Sequence, residues 1–232
     1  MEKIDNVKSV FKKKEDTLKN TAFVSPAVIR RLPRYHRYLG ELLRKDILRV
    51  SSGELAEMMC VTASQIRQDL NCFGGFGQQG YGYNVRYLYD KIGELLGMGE
   101  GYRAVIVGAG NLGRALVSSH MFERRGVTRL ALFDIDEALI GKTVADVPIY
   151  HVSALYDFCK ENAVEIGVVT TPKEAAASVI ELLIKAGVRG IWNFSNTEIR
   201  SPDAHVSVEN IHLGDSLMKL CYDMKSNVGE KE

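Results

Sequence analysis

Cysteine is scarce in this chain, and what there is builds no metal site: Cys60, Cys72, Cys159 and Cys221 show no ligand spacing. Cys60 and Cys221 fall among apolar positions and are expected in the core. Long apolar runs are missing too. None approaches the ~18 residues of a membrane span, and Met1-Glu2-Lys3-Ile4-Asp5-Asn6 lacks the apolar stretch of a secretion signal. These absences predict a cytoplasmic protein with no membrane partner. Net charge is nearly absent at +1, yet it is unevenly spread. Residues 1–90 hold 15 Lys and Arg against 10 Asp and Glu, whereas residues 91–232 hold 15 against 19. A basic front half on an acidic back half suits a front that meets a polyanion, although a solvated charged surface has the same composition.

What is present is an ordinary globular composition: 232 residues, 46% hydrophobic and 25% charged, enough for one large or two small domains. The chain is organised around Ala104-Val105-Ile106-Val107-Gly108-Ala109-Gly110-Asn111-Leu112-Gly113. An apolar, β-branched run ends in a tight glycine turn, and the helix-forming run Arg114-Ala115-Leu116-Val117 follows. In this strand–turn–helix, Gly108 permits the turn, Gly110 lets the backbone approach a pyrophosphate, and Gly113 lets the helix pack close to the strand. Free N–H groups at the helix start face the phosphates. Glycine turns also occur in other α/β domains, so the motif needs context. The next apolar run, Val127 to Phe133, ends at Asp134, 21 residues after Gly113. An acid at that distance, closing the second strand, is placed to grip a ribose hydroxyl. Its charge repels a 2′-phosphate, which favours NAD(H) over NADP(H).

The front half reads as helices. Residues 1–24 are polar and lysine-rich and are expected to form a flexible arm or loose helix. Ser25-Pro26 starts a helix with a capping side chain and a proline at the first helical position. Val28, Ile29, Leu32, Tyr35, Leu39, Leu42 and Leu43 make its apolar face as far as about Lys45, with Pro33 expected to bend or loosen it. Ser51-Ser52-Gly53-Glu54 is a capping box opening a second helix, Leu55 to Cys60. Thr62-Ala63-Ser64-Gln65 is another, opening a third from Ala63 to about Cys72. Two short helices across a tight turn, after a longer one, make a helix-turn-helix. In the third, Ala63, Ile66 and Leu70 share one face. Ser64, Gln65, Arg67, Gln68 and Asn71 share the other, with the hydrogen-bonding side chains that a recognition helix needs in a DNA major groove. A solvated amphipathic helix with no partner is the plainer alternative. Residues 73–83 mix glycine with aromatics around Gln78-Gln79-Gly80, which suits a hairpin turn. A hairpin directly after a recognition helix is a wing, of the kind that lies along the DNA backbone or enters the minor groove. Asn84 to Met98 reads as a helix closing the first domain.

After Asp134 the α/β rhythm continues. Thr143 to Val152, with Pro148 inside, is irregular, with room for a short edge strand. Leu155 to Glu161 is a helix and Val164 to Thr170 a buried strand. Thr171-Pro172-Lys173-Glu174 is a capping box starting a helix through Ala186, with Gly187 just past its end. Val188 to Phe194 and Val206 to Val208 are strands. Leu213, Leu217, Leu220, Cys221 and Met224 form an apolar stripe on a last helix. Two burial partners are open to it: its own sheet, or a second subunit.

A dinucleotide fold invites a dehydrogenase reading, but no catalytic group stands out. Tyr87-x-x-x-Lys91 and Tyr156-x-x-x-Lys160 have a spacing used by reductases. The first precedes the glycine turn and the second falls in an outer helix, and both are read as accidental. His36, His120, His151, His205 and His212 show no metal spacing and no evident carboxylate partner. No Ser/His/Asp arrangement can be inferred. A helix-turn-helix joined to a cofactor domain without catalytic residues points to a sensor, with the dinucleotide as signal.

At this point the chain resembles the Rex family of redox-sensing transcriptional repressors, from about Pro26 to Lys225. The likeness is carried by Arg31-Leu32-Pro33-Arg34-Tyr35, Val50-Ser51-Ser52-Gly53-Glu54-Leu55-Ala56, Ile66-Arg67-Gln68-Asp69-Leu70 and Gly80-Tyr81-Gly82-Tyr83. Val107 to Gly113, Phe133-Asp134-Ile135-Asp136 and Trp192-Asn193-Phe194 also match. The resemblance implies an α/β chain with an N-terminal winged helix-turn-helix domain and a C-terminal Rossmann-like NAD(P)-binding domain. It implies a homodimer on an inverted-repeat, double-stranded DNA operator, with the last helix swapped onto the partner subunit. NADH would release the DNA and NAD+ would permit binding, which requires NADH to prefer the DNA-incompetent arrangement. The bounds expected are 1–24 for the arm, 25–98 for the winged helix, 99–212 for the nucleotide domain and 213–232 for the last helix and tail. The cofactor set is Gly108, Ala109, Gly110, Asn111, Leu112, Gly113, Asp134, Thr170 and Asn193. The DNA set is Ser64, Gln65, Arg67, Gln68, Gln79 and Tyr81.

The chain departs from the family pattern where cations and switch residues are concerned. Gln68 and Gln79 stand where members usually carry basic residues, which implies weaker or altered operator preference. The family pairs a tyrosine with an aspartate that exchanges to an arginine. The matching switch positions are Ser119, His212 and Arg37, of which only the arginine is kept. A histidine does not replace a carboxylate as partner to arginine, since both can be cationic. The cofactor is therefore expected to bind with its redox state poorly coupled to DNA release. A small NAD-dependent oxidoreductase and a paralogue that binds no specific DNA are the alternatives to a repressor that is not an enzyme.

Overall fold

The computed structural model describes residues 24–71, 77–78, 82–201 and 203–228, in two compact units that divide between Met98 and Gly99. The first unit opens with α1 (Pro26–Arg44). The Ser25 hydroxyl accepts from the Val28 N–H, and proline occupies the first turn, where an N–H lacks a helical partner anyway. Pro33 lies inside α1 without ending it, and its exposed position keeps the ring off the packed face. β1 (Arg49–Val50), α2 (Ser52–Met59), α3 (Ala63–Asn71), β2 (Gly77–Gln78), β3 (Gly82–Asn84) and α4 (Val85–Leu95) follow. β3 pairs antiparallel with both β1 and β2, which adds a small sheet to the helix-turn-helix. Leu32, Tyr35, Leu55, Met59, Ile66 and Leu88 meet in one core. The wing residues Gln79 and Tyr81, Cys72 and the arm through residue 23 lie outside the described residues.

The second unit runs β4 (Arg103–Val107), α5 (Asn111–Val117), β5 (Thr128–Asp134), β6 (Thr143–Val144), β7 (Val147–His151), α6 (Leu155–Glu161), β8 (Ile166–Val169), α7 (Lys173–Lys185), β9 (Gly190–Asn193), β10 (Ser207–Asn210) and α8 (Leu213–Val228). The sheet order is β10-β9-β8-β4-β5-β7-β6. Every pairing is parallel except β6 with β7. Alternate side chains supply two cores, one around Val105, Phe133 and Leu183 and the other around Ile106, Leu132 and Phe122. The segment expected to be irregular, with room for a short edge strand, is a hairpin: β6 is that edge strand, and the second strand, β7, joins β5. Left-handed Ala145 and Asp146 (φ 47° and 63°) make its turn. Pro148 hid the strand; it stands opposite Thr143 of the two-residue edge strand, beside Ile149, whose N–H donates to Lys142 O at 2.9 Å.

The cysteine expectation fails. Cys60 and Cys221 are exposed: Cys60 holds the left-handed C-cap of α2 (φ 51°), and Cys221 rides on α8. Cys159 is the buried one, and burial pushes its thiol up to about 11. The stripe on α8 does not cover its own sheet, since Leu213, Leu217, Met218, Leu220 and Met224 are each more than half exposed, at 54–65%. Among the described residues no helix is long and apolar enough to cross a membrane.

Candidate functional site

From β4 the chain winds outward to β5 and β7 on one side, then to β8, β9 and β10 on the other. The order therefore reverses between β4 and β8, and the crevice beyond their carboxyl ends is where such sheets take ligands. Gly108 stands there in the left-handed region (φ 104°), and a Cβ on it would lie 2.8 Å from Thr170 Oγ1. A Cβ on Gly113 would run into the carbonyl oxygen of Gly108. Gly110 is different, because none of the described residues lies within 4 Å of the Cβ position. Two glycines are thus required by the protein's own packing. The third keeps open the space that a pyrophosphate needs.

Asp134 closes this turn. Its Oδ2 accepts from the Ala109 N–H at 2.5 Å, and Oδ1 accepts from the N–H groups of Ile135 and Asp136 at 2.8 and 3.0 Å. Thr170 braces it from β8, its N–H donating to Val107 O at 2.8 Å and its hydroxyl to Gly108 O at 2.9 Å. Gly108, Gly110, Asp134, Thr170, Thr171 and Pro172 border a cavity of about 770 Å³, within the size range of a cofactor site. The expected capping box at Thr171 is not made. Pro172 is the N-cap of α7 and no side chain caps it, so Thr171 stands one residue too early. Its hydroxyl is buried with no partner among the described residues. That costs about 1–3 kcal/mol, which a hydrogen bond to a ligand would remove, and Thr171 is a cavity-lining residue that the sequence motif concealed. The glycine cradle, the acid at the end of β5 and this orphaned hydroxyl fit a dinucleotide.

The remaining residues of the expected set have other surroundings. Asn111 Oδ1 accepts from Arg114 Nη2 at 3.0 Å at the start of α5, and Leu112 is half-buried in the same turn. Asn193 is buried and its amide is fully engaged. Nδ2 donates to Thr197 O and Asn210 Oδ1, at 2.7 and 2.8 Å, and Oδ1 accepts from the Ser195 hydroxyl and N–H. It fixes the loop leaving β9. Ser119 falls two residues beyond α5. His212, expected to have no carboxylate neighbour, places Nε2 3.3 Å from Glu198 Oε2, a contact across 14 residues that spacing did not suggest. Arg37 is exposed, with its guanidinium 5.3 Å from the Tyr38 ring centre.

In the first unit, α2 and α3 are set as a helix-turn-helix requires. The Ser51 capping box is complete, with Glu54 N–H on the Ser51 hydroxyl and Ser51 N–H on the Glu54 carboxylate. The Thr62 box is half made: Gln65 N–H donates to Thr62 Oγ1 at 3.2 Å, but the Gln65 side chain goes elsewhere. Ser64, Arg67 and Gln68 are exposed and Gln65 half-buried, while Ile66 and Leu70 are in the core. Arg67 Nη1 donates to the Ser52 hydroxyl at 3.2 Å. Sequence reasoning missed Asp69, which lies on the buried face at 1% exposure. Its carboxylate accepts from Arg31 Nε and Nη2, the Tyr35 hydroxyl and Gln65 Nε2. Burial alone pushes the Asp69 carboxyl up, but these hydrogen bonds and the Arg31 charge prevail and hold it below the usual carboxylate range.

A winged helix-turn-helix joined to a Rossmann-like unit with a dinucleotide cradle defines a ligand-responsive transcription regulator. Residues 23–71 match the family model described as "Putative DNA-binding protein N-terminus", and residues 100–197 match the one described as "CoA binding domain". The redox-sensing transcriptional repressor Rex of Caldicellulosiruptor bescii is 49% identical over 90% of this chain and 96% of its own. The crystal structure of RSP in complex with β-NAD+ and operator DNA is 47% identical, with a TM-score of 0.81, over 90% of this chain and 99% of that one. RSP in complex with β-NADH gives 45% identity and a TM-score of 0.82, over 90% and 98%. The chain belongs to the Rex family of redox-sensing transcriptional repressors.

Proposed function

We propose that this repressor binds operator DNA through α3 and the wing, and that NAD(H) in the Gly108–Gly113 cradle adjusts that binding. The observation that carries the reading is the cradle: Gly110 open to the cavity, with Asp134 across from Ala109 at its end. Gly108, Ala109, Gly110, Asn111, Leu112, Gly113, Asp134 and Thr170 hold the dinucleotide, joined by Thr171. Asn193 shapes the loop beside it. The bound nicotinamide supplies the signal, a ring that carries a positive charge when oxidised and none when reduced. CoA, which the second family model names, carries a 3′-phosphate on its ribose, and the Asp134 carboxylate opposes a phosphate at either hydroxyl.

On the DNA side Ser64, Gln65, Arg67 and Gln68 face the groove, with Gln79 and Tyr81 on the wing. The working units are 25–98, 99–212 and 213–232, preceded by the arm 1–24. The uncovered stripe of α8 supports a homodimer in which that helix lies on the second copy. Two copies suit an inverted repeat. The role is regulatory rather than catalytic, as the relatives' names support, and the protein acts in the cytoplasm. Redox coupling is weak. His212 faces Glu198, and neither Ser119 nor His212 supplies the carboxylate or phenol of the usual exchange with Arg37.

The test is a titration of labelled operator DNA with the full-length protein, repeated with NADH, NAD+ and CoA. Salt-dependent, sequence-specific binding is expected. Both forms of NAD should bind while CoA does not compete. NADH should lower operator affinity by less than about fivefold relative to NAD+, the low end of ordinary coupling. Absence of specific DNA binding defeats the DNA-binding reading, CoA displacing NADH defeats the ligand, and a hundredfold NADH-selective release defeats the weak coupling.

A further inference from the structure

Resting on the reading that α3 meets DNA, we propose that Asp69, buried away from any base, determines which base Gln65 reads. Arg31 forks onto its carboxylate, Nε to Oδ2 and Nη2 to Oδ1, both at 2.7 Å. The Tyr35 hydroxyl donates to Oδ2 at 2.9 Å, and Gln65 Nε2 donates to Oδ1 at 2.8 Å. Arg31 and Tyr35 come from α1, so the carboxylate is held from outside the helix that carries it.

An ionised carboxylate accepts hydrogen bonds and donates none. The atom of Gln65 facing Asp69 is therefore nitrogen, and the reverse orientation would set Oε1 against Oδ1. A glutamine free in solvent turns its amide either way to suit a partner. This one does not. The half-made Thr62 box fits the same picture, since the side chain that would reach back to the helix start reaches forward to Asp69 instead. What Gln65 has left is Oε1 and its second N–H. Gln65 is the third residue of α3, in the first turn, which is the part of a recognition helix that meets base edges. The adenine edge in the major groove offers the N6 donor and the N7 acceptor, the complement of that pair. Asp69 is thus a positioning residue, and the readout is an A·T pair at one position of each half-site.

The experiment is selection from random-sequence DNA by the full-length protein and by Gln65→Ala and Asp69→Asn variants. The wild type should prefer A·T at one half-site position by roughly 5- to 100-fold, the range of a good bidentate contact. Gln65→Ala should abolish that preference alone. Asp69→Asn, which lets the amide turn, should remove most of it while other positions keep theirs. Uniform weakening by Asp69→Asn with the preference intact would make Asp69 purely structural and overturn the proposal, as would an unchanged site with Gln65→Ala. The side-chain amide resonances of Gln65 in free wild-type protein, assigned by their loss in Gln65→Ala, give a readout independent of how Asp69→Asn folds. One proton should be shifted downfield and slow to exchange, and an ordinary averaged amide would overturn the proposal. A wild type that selects no sequence, yet shows the shifted amide, refutes DNA binding rather than the Asp69–Gln65 contact, and the base assignment goes with it.

Discussion

The Ala109 N–H donates to Asp134 Oδ2 at 2.5 Å, joining the turn after β4 to the last residue of β5. One carboxylate thereby shapes the glycine turn and borders the cavity beside it. Asp134→Ala should raise the NADH dissociation constant about 10- to 100-fold, the worth of hydrogen bonds to a charged group. Discrimination against NADPH should fall with it. Calorimetric titration with both cofactors measures each effect.

Gly110 and Gly113 should separate binding from folding. A methyl at Gly110 meets none of the described residues within 4 Å, whereas one at Gly113 meets the Gly108 carbonyl. Gly110→Ala should leave the melting temperature within a degree or so of wild type and abolish dinucleotide binding. Gly113→Ala should lower the melting temperature of the nucleotide unit by several degrees, the response to a destabilisation of about 1–3 kcal/mol. Thermal melts with and without NADH distinguish the two.

Asp69 makes the first unit acid-sensitive. Its pKa is lowered in the folded state, so its contribution is full above the ordinary carboxylate value of about 4 and is lost as pH falls through the lowered value. Hydrogen exchange of α3 amides should accelerate across that acid window, and Asp69→Asn should flatten the response. Arg31→Ala leaves the carboxylate buried without its cation. It should cost about 3 kcal/mol, the low end for a broken buried pair, because Arg31 is itself 34% exposed.

The stripe on α8 should hold two copies together. Leu217 and Leu220 are 61% and 54% exposed, so replacing both with Glu removes little from the isolated unit. The double variant should shift the protein from dimer to monomer in light scattering and leave the melting temperature of the nucleotide unit nearly unchanged. A dimer that persists would show that other surfaces hold it.

Much of this molecule was legible in local chemistry. Ser25-Pro26 and Ser51-x-x-Glu54 mark helix starts because their side chains bond backbone groups three residues away, and both contacts are made. The spacing from Gly113 to Asp134 signals the cradle because one strand, one turn and one helix have nearly fixed lengths. The 143–152 segment was legible only as a short edge strand, since Pro148 masks β7, which pairs with β5 across the intervening loop. Cys60 and Cys221 were misassigned because apolar neighbours in sequence do not say which face a residue takes at a helix end or on an uncovered helix.

Sequence alone determined the two kinds of unit, the order of their main elements and the glycine turn, because each follows from contacts within a few residues or from strand and helix length. Only the tertiary structure decided that Asp69 is buried beneath Arg31, Tyr35 and Gln65, that Thr171 is left with an unpartnered hydroxyl, that His212 meets Glu198 and that α8 stands uncovered. Arg31 and Tyr35 reach Asp69 from 38 and 34 residues away, and Glu198 reaches His212 from 14, separations that no spacing rule spans; packing alone leaves Thr171 and α8 as they are.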